Sequence, residues 1–197
     1  MTFRASRILY VLTLLTLLSM VPAALMAQQA QQAQRDRIAL NGNMHPGAIS
    51  RFDVGPVDPS LKLDHMTLML KRSSAQQAAL DRLLADQQNP SSPDYHAWLT
   101  PEQFADRFGL SQNDIAKVAG WLQSEGLAVD AVSRARNWIW FSGTADQIQG
   151  ALRTSLRRYN VGGEMHFANS SEPSVPAAIA PLVLGVLGLD DFRPKSK

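Results

Sequence analysis

The sequence NWIWFSGTADQIQGAL, residues 137–152, predicts a strand that runs directly into a helix. Its first part, residues 138–142, consists mostly of aromatic and branched apolar side chains, as strands often do. Thr144 and Gln147 then match a capping box, in which each side chain satisfies a backbone N–H group at the start of a helix. The predicted core face of that helix consists of Ile148, Ala151 and Leu152. This stretch therefore indicates a fold that mixes strands and helices.

Upstream of this unit, the sequence predicts two more strands with helices between them. The strands lie at residues 65–72 and 127–132, where apolar residues dominate. Three helices are predicted between these strands, and they span residues 74–88, 101–108 and 112–125. The second and third of them follow capping patterns that begin at a threonine and a serine.

Downstream, the sequence predicts a strand at residues 156–159 and a short returning strand at residues 165–168. An apolar run at residues 176–187 is interpreted as a small helix. The resulting order is strand, helices, strand, strand, helix, strand. A split β-α-β order of this kind forms an antiparallel sheet with helices on one face. The predicted fold class is thus α+β, a ferredoxin-like antiparallel sheet with helices packed on one face.

The N-terminus has the order of a secretory signal peptide. Arg4 and Arg7 precede an apolar run at residues 8–21, and small residues follow as far as Ala27. A signal peptide over residues 1–27 predicts a protein that is secreted or periplasmic, with no membrane attachment after cleavage. The alternative is an uncleaved membrane anchor, although the apolar run is shorter than the ~20 residues that a spanning helix needs.

The rest of the chain divides by composition into three parts. Residues 28–60 are predicted to be a Gln-rich spacer and an extended arm, residues 61–192 the globular domain, and residues 193–197 a polar C-terminal tail. Once the two arginines of the signal are subtracted from 19 basic residues, the basic residues equal the 17 acidic ones, which argues against a nucleic-acid partner. The absence of cysteine excludes disulfides, thiolate metal ligands and a cysteine nucleophile.

One segment is more specific than helix capping requires. SPDYHAWLTPEQFADRFG, residues 92–109, resembles the signature of the activation domain of kumamolisin and other sedolisins, the serine-carboxyl peptidases. Other segments resemble the same domain in the same order along the chain: GNMHPGAISRFDVGPVDPS at 42–60, WLQSEGLAV at 121–129, NWIWFSGTADQIQGAL at 137–152, HFANSSEPSVP at 166–176 and VLGLDDF at 186–192. The resemblance covers residues 35–192.

The resemblance implies the function of a propeptide. Such a domain is an intramolecular chaperone and inhibitor, which helps its peptidase to fold, blocks the cleft and is removed by self-cleavage at acid pH. The implied partner is the catalytic domain of a sedolisin-type peptidase, either joined through the tail at residues 193–197 or bound in trans. The Ser-Glu-Asp triad, oxyanion aspartate and calcium site of these peptidases cannot be assigned to residues of this chain. We therefore expect no enzymatic activity and no cofactor.

Other functions stay open at this point. The chain could be the propeptide region of a zymogen or a stand-alone propeptide that inhibits a peptidase in trans. A function from a different class is an exported ferredoxin-like binding module that has no peptidase partner. An independent hydrolase is the last alternative.

Two features resemble catalytic motifs but have simpler explanations. Glu102 and Asp106 are four residues apart, so both carboxylates share one helix face, as in a catalytic helix of the peptidases. A carboxylate in a first helical turn is, however, explained by the helix dipole. The segment Ser142-Gly143-Thr144 is similar to the serine motif of the peptidases, but Ala145 follows it and Thr144 is explained as a helix cap.

The histidines are spread along the chain without the spacing of a zinc site, so no metal site is predicted. They are His45, His65, His96 and His166. His96 and His166 are candidates for an acid switch, since an imidazole ordinarily gains its proton near pH ~6.5. For His96, the alternative is an ordinary hydrogen bond to the backbone.

The strongest candidate for a binding surface is the tryptophan pair of the strand at residues 138–142. Side chains of a strand point alternately to its two faces, so Trp138 and Trp140 share one face while Ile139 and Phe141 share the other. If the second pair contacts the helices, the indoles cover the bare face of the sheet. Tryptophan is enriched at binding hot spots, which predicts docking of a partner there. The alternative is that the indoles pack under the N-terminal arm.

The C-terminal end of the domain is the second candidate. The resemblance implies that the propeptide blocks the cleft of the peptidase, and our hypothesis is that the chain after Leu189 enters it. The residues expected to do so are Asp190, Asp191, Phe192 and Arg193.

Overall fold

The computed structural model describes residues 36–192 and, upstream of them, Gln32. The predicted signal peptide, most of the Gln-rich spacer and the tail with Arg193 lie outside the described residues. The described strands are β1 (Arg37–Ala39), β2 (Asp53–Pro56), β3 (Lys62–Leu70), β4 (Ala128–Val132), β5 (Trp138–Thr144), β6 (Leu156–Val161), β7 (Glu164–Asn169), β8 (Ser174–Pro176) and β9 (Val183–Leu187). The helices are α1 (Ser74–Gln88), α2 (Pro101–Phe108), α3 (Gln112–Ser124) and α4 (Ala145–Leu152), with short 3-10 helices at Ser50–Phe52 and Ala180–Leu182. Among these described residues, no helix is both long and apolar enough to cross a membrane.

The main sheet has four antiparallel strands in the order β4-β5-β3-β9. Helices α1 to α3 connect β3 to β4, and α4 follows β5, so the chain has the split β-α-β connectivity of a ferredoxin-like sheet. The central strand β3 pairs Met66 with Phe141 on one side and Leu68 with Val186 on the other. The predicted α+β class is therefore confirmed.

The core lies between this sheet and the helices. Ile139 and Phe141 of β5 are fully buried, and they belong to the same cluster as Val118 and Leu122 of α3 and Ile148 of α4. A smaller cluster of Leu80, Leu83 and Phe108 joins α1 to α2. Burial of apolar side chains on one face is the main force that holds helices to a sheet. The helices consequently cover one face of the sheet and leave the other face outside the core.

The predicted capping boxes are present at α2 and α4. At α4, the hydroxyl of Thr144 accepts a hydrogen bond from the Gln147 backbone at 3.3 Å, and the Gln147 side chain accepts one from the Thr144 backbone at 2.8 Å. Thr100 and Gln103 form the same arrangement at α2. Because each box satisfies N–H groups that a helix start leaves unpaired, β5 can pass into α4 without a loop.

The interpretation of residues 176–187 as a helix is wrong. This run contains the end of β8, a 3-10 helix and strand β9, which lies along β3 as the fourth strand of the main sheet. The strand at residues 156–159, expected in that sheet, is part of β6 and belongs to a separate sheet of order β2-β6-β7. A short apolar run fits a buried helix or a buried strand equally well, and here the open edge of β3 decides between them.

The described part of the arm, residues 36–60, contains two short strands, turns and a 3-10 helix, and both strands are attached to the domain. Strand β1 pairs with β8, and β2 pairs with β6. Leu40 and Val57 are buried in the main core cluster. The boundary between arm and domain at residue 60 stays a prediction.

An ion pair fixes the second half of the arm. Arg157 of β6 donates a hydrogen bond to the carboxylate of Asp53 in β2, and this bond is the main reason that the pKa of Asp53 is lowered from its ordinary value of 3.8. A carboxyl group whose pKa is lower in the folded state stabilises the fold above its unfolded pKa. That contribution is lost only as the pH falls through the lower, folded value. The arm should therefore keep this contact in mild acid.

Replacing Asp53 with asparagine tests this contact. We expect Asp53→Asn to unfold at lower urea concentration than the parent at about pH 7 and about pH 5, and the difference to shrink towards about pH 2, where the parent has lost the charge as well. Asp81→Asn, which alters an exposed carboxylate on α1, serves as the control. A deficit that is the same at all three pH values would mean that the charge of Asp53 plays no part.

Candidate docking surface and C-terminal exit

The face of the main sheet that points away from the helices carries both predicted tryptophans. Trp138 is 37% exposed and Trp140 is 44% exposed, whereas Ile139 and Phe141 between and beside them are fully buried. Partly exposed and buried side chains thus alternate along β5, as expected from the two-residue period of a strand. We call this side of the sheet the outer face.

The outer face carries a strip of mostly apolar side chains across three strands, which we call the apolar strip. Thr67 of β3 pairs with Trp140 on one side and with Leu187 of β9 on the other, so the three side chains form one row. In the next row, Met69 pairs with Trp138. Leu187 is 56% exposed. Sequence reasoning missed Leu187 because the run at residues 176–187 was interpreted as a helix.

The described strands of the arm do not pair with the main sheet that carries the indoles. Its two strands pair with β8 and β6, which are outside the main sheet. A polar pair borders the apolar strip: the hydroxyl of Ser142 donates to the exposed carboxylate of Asp130 at 3.0 Å. The outer face therefore combines partly exposed aromatic side chains with a negative charge at its border, as interfaces often do.

The C-terminal end of the domain is attached to strand β7. The backbone N–H of Asp191 donates to the carbonyl of Phe167 at 3.2 Å, and the backbone N–H of Phe167 donates to the Asp191 carboxylate at 2.8 Å. The next residue, Phe192, donates its backbone N–H to the Asp190 carboxylate at 3.1 Å. Asp191 is thus held against β7, Asp190 and Phe192 are hydrogen-bonded to each other, and Arg193 lies outside the described residues.

The two candidate acid-switch histidines lie in different parts of the fold. His166 in β7 is next to the C-terminal end, with its Nδ1 3.3 Å from the Asp191 carboxylate and its Nε2 3.8 Å from that of Glu164. His96 lies in the loop between α1 and α2, where its ring stacks on Tyr95 with 3.8 Å between centroids. Its backbone N–H donates to the carbonyl of Gln87.

The carboxylates of α2 have arginine partners on the hairpin between β4 and β5. Arg134 Nε donates to Glu102 at 2.8 Å, and Arg136 donates to Asp106 at 2.7 Å. The hydrogen bond from Arg134 is the main cause of a lowered pKa at Glu102. Both carboxylates therefore tie the signature helix to the sheet. In the described part of the chain, no three histidine, aspartate or glutamate side chains are grouped so as to hold a metal ion.

Comparison with known proteins places these features in a family. Residues 52–192, well over half of the chain, match the family model described as "Pro-kumamolisin, activation domain". The chain is 36% identical over 117 residues to xanthomonalisin of Xanthomonas sp. (strain T-22), an alignment that covers 59% of this chain and 14% of the relative. It is 29% identical over 163 residues to kumamolisin of Bacillus sp. (strain MN-32), covering 82% of this chain and 28% of the relative.

A third relative is tripeptidyl-peptidase 1 of Homo sapiens, 31% identical over 156 residues, which cover 77% of this chain and 26% of that protein. The chain therefore spans less than a third of the length of the relatives it matches. The model that it matches is that of the activation domain and not of a catalytic domain. The chain belongs to the pro-kumamolisin activation domain family, the propeptide family of sedolisin-type peptidases.

Proposed function

We propose that this domain is exported, binds the catalytic domain of a sedolisin-type peptidase through its outer face, assists its folding and keeps it inactive until acid releases it. The observation that carries this proposal is the apolar strip of Trp138, Trp140 and Leu187, which is partly exposed in the free domain. Large exposed aromatic groups on a sheet face are typical of a surface that a partner covers. Family membership supplies the class of partner.

Binding of this kind explains a chaperone effect by mass action. A domain that binds the native peptidase and not its unfolded chain stabilises the native form in proportion to its affinity. The same contact inhibits the enzyme if the chain that follows the domain occupies the cleft. Because Asp191 is hydrogen-bonded to Phe167 and the ring of Phe192 is stacked on that of His45, the inhibitory segment in this proposal begins after Phe192.

Acid release requires groups that change charge at the interface. Asp130 borders the apolar strip and is positioned to pair with a cationic side chain of the partner. Protonation of such a carboxylate removes the pairing and weakens the complex as the pH falls.

Binding measured directly is the sharpest test. The chain without residues 1–27 is titrated against a purified sedolisin-type peptidase, kumamolisin for example, and affinity is determined by calorimetry at about pH 7 and about pH 4. We expect saturable one-to-one binding at the higher pH, residual peptidase activity that falls in step with occupancy, and weaker binding in acid. The zymogen and the trans-acting inhibitor both predict this result.

The exported module without a peptidase partner predicts a different outcome. It would show no binding to any peptidase of the class at either pH. Hydrolysis of a peptide substrate by the purified chain alone would instead support the independent hydrolase.

A further inference from the structure

The ring of Phe192 is stacked between the imidazoles of two histidines that lie far apart in the sequence. The His45 ring, in the arm, lies 4.1 Å from the Phe192 ring between centroids and is inclined by 5°. The His166 ring, in β7, lies 4.3 Å away on the other side at 18°. Stacked aromatic pairs stabilise beyond their burial alone, so Phe192 is held from both faces.

The arm holds His45 in place through its own hydrogen bonds. His45 Nδ1 accepts from the Gly47 backbone at 3.0 Å. The contact leaves no spare room, because a Cβ at Gly47 would stand 3.0 Å from both the His45 ring and the Phe192 ring. We call residues 42–47 the arm loop.

The other end of the arm loop is anchored to two sheets. The Asn43 side chain accepts a hydrogen bond from the Val186 backbone in β9 at 2.7 Å, and the Asn43 carbonyl accepts one from the buried Asn169 side chain in β7 at 3.0 Å. The carboxylate of Glu172 accepts from the Gly42 and Asn43 backbones at 2.8 and 2.9 Å. The arm loop is therefore a fixed strap across the C-terminal end, with His45 as its contact to Phe192.

We propose that the arm loop is a strap that retains the C-terminal exit of the domain, and that the two segments release each other as one unit. Without His45, the exit loses one face of the Phe192 stack and keeps its hydrogen bonds to Phe167, the contact of Asp191 with His166 and the other face of the stack. Without Phe192, the ring of His45 loses its packing partner. Resting on the proposed function, the strap would control when the chain after Phe192 can leave the domain.

Backbone hydrogen exchange of the free domain tests the strap from the arm side. In His45→Ala, we expect the amides of Phe167 and Asp191 to exchange about threefold to tenfold faster than in the parent, which corresponds to the loss of one aromatic stack. His45→Phe keeps a ring in the stack but cannot accept the Gly47 hydrogen bond, so both rates should return most of the way to the parental values. His96→Asn is the matched control, since it removes a histidine from a distant loop and asparagine tolerates the positive φ of 56° there.

The variant Phe192→Ala tests the strap from the side of the C-terminal exit. Phe192→Ala should raise exchange of the Gly47 amide, whose acceptor is the His45 ring, by a similar factor. Parental rates at Phe167 and Asp191 in His45→Ala would overturn the strap. Should that variant unfold the whole domain, a parental Gly47 rate in Phe192→Ala overturns it instead. No peptidase is present in these measurements, so their outcome is independent of whether the domain binds one.

Discussion

Replacing Trp138 and Trp140 together with alanine is expected to weaken binding to a sedolisin-type peptidase by about a hundredfold or more. A tryptophan at an interface hot spot costs about 2 kcal/mol or more when truncated, and about 1.4 kcal/mol is a tenfold change in affinity. The two indoles lie in adjacent rows of one apolar strip, so both leave the same contact area. The loss should appear as a higher dissociation constant in calorimetry and as a parallel loss of inhibition.

The fold of that double variant should survive, because both indoles are partly exposed and lie outside the core cluster. Trp98→Ala is the matched control: Trp98 is 71% exposed but lies in the loop between α1 and α2, away from the outer face. It should bind like the parent. If the double variant binds as tightly as the parent while Trp98→Ala is weakened, the docking surface is on the helix side.

Gly109→Ala is expected to destabilise the domain by about 2 kcal/mol, within the usual cost of overpacking. Gly109 ends α2 with φ −79°, a value that alanine adopts freely, so its conformation is not the reason. The reason is that no space is left for a side chain at this position. A Cβ at Gly109 would stand 2.6 Å from the carbonyl oxygen of Ala135 and 2.7 Å from that of Ala105. Since both are backbone atoms, α2 would have to move away from the β4–β5 hairpin.

Gly120→Ala is a matched control that is expected to change the stability of the domain in the opposite direction. Gly120 is exposed in α3, and a Cβ there would meet none of the described residues within 4 Å beyond its own helix. Alanine in a helix interior is more favourable than glycine by about 0.5–1 kcal/mol, so this variant should be more stable than the parent. Urea unfolding followed by circular dichroism measures both effects. Equal midpoints for the two variants would refute the packing argument.

The features that could be predicted from the sequence are those that depend on near neighbours. The capping box of Thr144 and Gln147 involves residues three positions apart, and the alternation of Trp138, Ile139, Trp140 and Phe141 follows from strand geometry alone. These two local signals fixed one face of the sheet as core and the other as the candidate surface. The position of both tryptophans on the face opposite the helices therefore follows from the sequence.

The features that could not be predicted depend on residues far apart in the chain. Strand β9 forms because the edge of β3 has unpaired hydrogen-bonding groups, which the composition of residues 183–187 does not reveal. The stack of His45, Phe192 and His166 brings together three segments that no local pattern connects. Leu187 and the retained exit were missed for this same reason.

The position of β9 in the chain has a consequence for biosynthesis. Its partner β3 is synthesised much earlier than β9. Leu68 can pair with Val186 only after the whole of the intervening chain has left the ribosome. Until then, the edge of β3 that faces β9 is a row of unpaired backbone groups next to apolar side chains, and such edges pair readily with other chains. A nascent chain that stalls before Val183 would therefore be prone to aggregate, and chaperones that bind the nascent chain would have most to protect in that interval.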